Sequence, residues 1–77
     1  MTFSPRERQL LLKAHSIGPK MVDYIELAGI GSLDELARAN ARDLAFEINA
    51  RLGRPHIKAM GIAALENAIE VARRSKK

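Results

Sequence analysis

The chain has no cysteine and no tryptophan, and its 77 residues include one tyrosine and two phenylalanines. Without cysteine there is neither a disulfide framework nor a thiolate metal site, which fits a cytoplasmic setting. With aromatics so scarce, the core must come from Ala, Leu, Ile and Val. The same scarcity argues against stacking on unpaired bases, because Phe3, Tyr24 and Phe46 are scattered along the chain. No apolar run approaches the roughly 20 residues that span a bilayer. Met1-Thr2-Phe3-Ser4-Pro5 lacks the pattern of a signal peptide. A soluble protein with no membrane association is therefore expected. His15 and His56 are the only histidines, and neither belongs to a His-x-x-Glu-type spacing. No metal site, cofactor, small-molecule substrate or enzymatic activity is expected. The carboxylate neighbours Asp34 with Glu35, and Glu66 with Glu70, read as a helix start and a solvated helix face.

What is present reads as helix throughout, with no strand alternation. Ser4-Pro5-Arg6-Glu7 has the form of a capping box with proline at the first helical position. The helix it opens should run to about Ala14, burying Leu10, Leu11 and Ala14. A second should start near Pro19, carry Met21, Val22, Ile25 and Ala28 inward, and close at Gly29. Ser32-Leu33-Asp34-Glu35 is another capping box, opening a short third helix with Leu33, Leu36 and Ala37. Asn40 can cap a fourth, with Leu44, Ala45, Ile48 and Leu52 apolar and Gly53 at its end. Pro55 suits the first position of a fifth that reaches about Arg74, with Ile57, Met60, Ala64, Leu65, Ala68, Ile69 and Ala72 inward. Gly61 lies inside it, as a point of close packing or a bend. The expected fold is all-α, a compact orthogonal bundle of about five helices forming one domain over 1–77, with a basic tail at 73–77.

The chemistry concentrates in Ser16-Ile17-Gly18-Pro19-Lys20-Met21. Gly18 and Pro19 read as a tight turn that starts a helix, with Lys20 in its first turn. The free N–H groups of such a start form a concave, partly positive place for an anion. A lysine there opposes the helix dipole, and makes more sense if a phosphate shares the place. Asp23, three residues on, can instead pair with Lys20 and occupy it without any ligand.

Leu12-Lys13-Ala14-His15-Ser16-Ile17-Gly18-Pro19-Lys20-Met21-Val22-Asp23-Tyr24-Ile25 resembles a helix-hairpin-helix motif. The central hydrophobic residue (Ile17), the second glycine (Gly18) and the Pro19-Lys20 pair match. Ser16 stands where the family usually has its first glycine, and Val22 where alanine is common. With Gly29-Ile30-Gly31-Ser32-Leu33-Asp34-Glu35-Leu36 and a long C-terminal helix, the chain is similar to the small single-hairpin bacterial proteins of the pathogenicity-locus family. The resemblance implies that Ser16, Ile17, Gly18 and Lys20 hold a nucleic-acid phosphate without reading bases. Gly29-Ile30-Gly31 repeats the small-Ile-Gly shape, but Ser32 with Glu35 makes it a helix cap rather than a second hairpin.

Net charge is +4, from 13 basic and 9 acidic residues. Arg73, Arg74, Lys76 and Lys77 crowd the last five positions, where cations either attract nucleic acid or offset the helix dipole. Arg51, Arg54, His56 and Lys58 form a second basic cluster, either an additional anion site or a solvated loop. Lys13 and His15 flank the first. Two function classes follow. One is weak, salt-dependent, sequence-independent DNA binding, with Lys13, Arg51, Arg54, Lys58, Arg73 and Arg74 as auxiliary cations. The other is a protein-interaction module, a homodimer or a docking partner of a larger protein, in which the hairpin is only architecture.

Overall fold

Short polar side chains set most of the helix starts. A computed structural model describes residues 2–14 and 17–75. Among these, five helices are present: α1 (Pro5–Leu12), α2 (Pro19–Leu27), α3 (Leu33–Ala37), α4 (Ala41–Leu52) and α5 (Ala59–Ser75). The chain is all-α, as its periodicity requires, and no described residue lies in a strand.

Ser4 Oγ accepts the Glu7 N–H at 3.2 Å, and Glu7 Oε1 accepts the Ser4 N–H at 3.1 Å, completing the box at α1. At α3, Ser32 Oγ accepts the Glu35 N–H at 3.2 Å. The Glu35 carboxylate reaches one residue further back than expected, to the Gly31 N–H at 3.0 Å. A side chain of the protein thus takes up the N–H of the second small-Ile-Gly segment. Asn40 Oδ1 accepts from both Arg42 and Asp43 N–H, at 2.9 and 3.2 Å, to start α4. Gly53 ends α4 with φ 74°, a conformation that disfavours any residue with a Cβ.

Helix α5 packs against α3, α4 and α1, while α2 packs against α1 and α4. Leu11, Val22, Ile25, Leu36, Ile48 and Leu65 are fully buried at the centre, with Ala64, Ala68 and Ala72 letting α5 approach its neighbours. Among the described residues, no helix is long and apolar enough to cross a membrane.

Three expectations need correction. Helix α1 ends at Leu12 with Lys13 as its C-cap, although Ala14 is buried beyond it. Helix α5 begins at Ala59 rather than Pro55. The cause is Asn49, whose Oδ1 accepts the Ile57 N–H at 2.7 Å and whose Nδ2 donates to the Ile57 carbonyl at 3.1 Å. That two-way clamp holds residue 57 out of the helix and places its side chain in the core. Ile57 then lies over Gly61, where an added Cβ would come within 2.7 Å of Ile57 Cγ2. Gly61 therefore serves close packing. The third correction is Met60, expected inward but 88% exposed. Ile57 takes up the space beside the first turn of α5, and Met60 is left outside.

Candidate functional site

Glycine 18 is the N-cap of α2, with φ −110° and ψ 178°. This is extended backbone open to any residue, so the left-handed freedom of glycine is not needed here. A Cβ at Gly18 would meet nothing within 4 Å. What the glycine does is leave the surface over the helix start bare. It also provides no side-chain cap, in contrast to Ser4, Ser32 and Asn40. Ile17 is buried, and its N–H is already donated to the Ala14 carbonyl at 3.2 Å. The N–H groups of Lys20 and Met21, in the first turn of α2, meet no acceptor among the described residues. Ser16 and His15 lie outside the described residues, as do Lys76 and Lys77.

The pairing of Asp23 with Lys20 does not form. Arg8, on α1, reaches across to α2 and donates to Asp23 Oδ1 at 2.8 Å. The same guanidinium lies 3.6 Å from Glu26 Oε1 and 3.4 Å from the Pro19 carbonyl. Glu26 in turn accepts the Phe3 N–H at 2.9 Å. Both acidic groups of α2 are thereby turned toward α1. Lys20 is exposed and meets no carboxylate among the described residues.

The six auxiliary cations expected from the sequence divide into two groups. Arg51 is held by Glu47 at 2.9 Å and Arg74 by Glu70 at 3.1 Å, both at four-residue helix spacing. Arg73 donates to the Ala37 carbonyl at 3.1 Å, closing the C-terminal end of α3. Lys13, Arg54 and Lys58 are exposed and meet no carboxylate among the described residues. Arg54 and Lys58 lie on the non-helical connection, and Lys58 is the residue whose carbonyl accepts the first α5 bond, from Ile62 at 2.8 Å. Pro55 does not start a helix, so the anion site expected at its N-terminal turn does not exist in that form.

The connection between α4 and α5 is joined to α2 by a contact that sequence spacing does not reveal. The rings of Tyr24 and His56 meet edge to face with centroids 5.2 Å apart. The Tyr24 hydroxyl and His56 Nε2 are 3.2 Å apart. Tyr24 lies one helical turn, about 6 Å along the axis, from Lys20. The turn before α2 and the residue 54–58 connection, separate in the sequence, therefore border one surface.

In comparisons with known proteins, no family model, curated protein or solved structure matches this chain.

Proposed function

We propose that this protein binds nucleic acid, foremost DNA, through its phosphate backbone and without reading sequence. The turn before α2 acts in this reading as a helix-hairpin-helix phosphate clamp. The observation that carries it is the capture of Asp23 by Arg8, which leaves Lys20 without a carboxylate among the described residues, beside a helix start whose N-cap, Gly18, has no side chain to cap it. An anionic oxygen placed there would accept from the backbone N–H groups of α2 and meet the Lys20 ammonium. Such a contact orients a protein on a duplex but carries no base information.

The test is fluorescence anisotropy with a labelled duplex and its single strand at about 50 and 200 mM salt. Binding should be weak and fall steeply with salt. Lys20→Glu should weaken binding about tenfold on every sequence, corresponding to roughly 1.4 kcal/mol. Unchanged affinity in this variant would remove the α2 start from the interface.

The alternative is an interaction module for another protein. It has one observation in its favour: Phe46 and Met60 are large apolar side chains left 74% and 88% exposed. Binding of this kind would survive high salt, because apolar contacts are not screened.

A further inference from the structure

We infer that the connection between α4 and α5 is the second half of the same interface, and that the ligand is a continuous phosphate chain rather than one isolated phosphate. This rests on the reading of the α2 start as a phosphate contact. Arg54 and Lys58 are exposed and meet no carboxylate among the described residues. Their connection is tied at both ends. Asn49 clamps Ile57 from inside the fold, and Tyr24 meets His56 from α2. Cations borne on two separate elements, Lys20 on α2 and Arg54 and Lys58 on the connection, are thus tied together through the Tyr24–His56 contact. A single inorganic phosphate engages one group at a time. A nucleic-acid backbone engages both, because each nucleotide brings another charge within reach. Tyr24 is then a positioning residue, which keeps Arg54 and Lys58 in register with Lys20.

Four of the other arginines are engaged by carboxylates, whereas Arg6 and Arg42, like Arg54, form no salt bridge among the described residues. Arg38, Arg51 and Arg74 each hold a carboxylate on their own helix, and Arg8 holds the acidic groups of α2. Asp23, Glu26, Asp34, Glu47 and Glu70 are each taken by an arginine, while Lys20, Arg54 and Lys58 meet no carboxylate among the described residues.

The experiment measures the dependence of affinity on salt, for a labelled duplex of about 12 base pairs, in four proteins: the unmodified chain, Lys20→Glu, the double variant Arg54→Glu/Lys58→Glu, and Tyr24→Leu. Each lost phosphate contact lowers the log–log slope by about 0.9, so the double variant should lose up to about 1.8 and Lys20→Glu about 0.9. Tyr24→Leu should shift the slope toward that of the double variant while circular dichroism shows the helices intact. A general loss of stability would not change the slope of the folded protein. Inorganic phosphate at matched ionic strength should compete poorly with the duplex. A double variant with the slope of the unmodified protein, while Lys20→Glu remains weakened, would overturn the inference and leave the α2 contact standing. Equal slopes in all four proteins would overturn both. A Tyr24→Leu slope unchanged from the parent would overturn the positioning role.

Discussion

Glu7 shows how much one carboxylate can organise in a chain this small. Its Oε1 accepts the Ser4 N–H at 3.1 Å and its Oε2 accepts the Leu33 N–H at 3.1 Å, so it caps α1 and ties α1 to the start of α3. The Leu33 N–H, and then that of Ser4, favour the charged form and hold its pKa below the ordinary 4.5. A carboxyl whose pKa is depressed on folding stabilises the fold fully above its unfolded value and loses that contribution as pH falls below it. Glu7→Gln should therefore cost about 1 kcal/mol at neutral pH, moderated by solvent around a half-exposed group. The difference from the parent should shrink as pH falls below 4.5, as read by urea unfolding at neutral and acidic pH. Gly61 gives a second residue-scale outcome, one of sign. Gly→Ala inside a helix ordinarily gains about 1 kcal/mol. Here the new methyl would meet Ile57 Cγ2 at 2.7 Å. That atom sits on a stiff β-branched side chain in the core, so Gly61→Ala should destabilise by about 1–2 kcal/mol. In an Ile57→Ala background the same change should become neutral or stabilising, which thermal melts of the four proteins would show.

At the scale of elements, the capped helices were legible because their signals are local. Ser4 with Glu7, Ser32 with Glu35, and Asn40 mark starts within four residues, and Gly53 marks an end. The start of α5 was not legible. Pro55 is a good local signal for a helix, but the Asn49 amide, six residues earlier, makes both backbone bonds at Ile57 and postpones the helix. The candidate site divides in the same way. The sequence exposes the turn and Lys20, but spacing alone also allows Asp23 to pair with Lys20. Arg8 wins that competition from another helix, 15 residues away. The Tyr24–His56 contact spans 32 residues and had no local signal at all. Nor does the backbone require glycine at position 18, since it is extended there and its surroundings are open. This separates folding from binding. Gly18→Ala should change stability by no more than about 0.5 kcal/mol. It should nonetheless weaken duplex binding, because the methyl covers the surface where a phosphate would approach the first turn of α2. Parallel melts and anisotropy titrations on this one variant would expose that difference, and a large stability loss with normal binding would contradict it.

For the whole molecule, the competing readings make opposite demands on its surface. A stable dimer covers about 800 Å² on each partner, around a packed apolar centre. Phe46 and Met60, 74% and 88% exposed, are the most exposed large apolar side chains among the described residues, ahead of Leu27 and Leu12 at 42% and 36%. A buried aromatic side chain removes about 150–250 Å² from water. Two such side chains, even if contiguous, reach only about half of the required area. The positive charge, by contrast, is spread over Arg6, Lys13, Lys20, Arg42, Arg54 and Lys58, none of which forms a salt bridge among the described residues. Repulsion among like charges disfavours bringing two such surfaces together at low salt. The chain should therefore sediment as a monomer at about 100 μM, in both 0.15 M and 1 M salt, where Debye lengths are about 8 and 3 Å. Its affinity for duplex DNA should meanwhile fall about 40-fold between about 50 and 200 mM salt if three phosphates are engaged. A dimer that persists in 1 M salt, with nucleic-acid binding absent at 50 mM, would reverse the assignment and move the functional surface to Phe46 and Met60. Sedimentation and anisotropy on the same preparation decide between the two, because screening weakens only the electrostatic one.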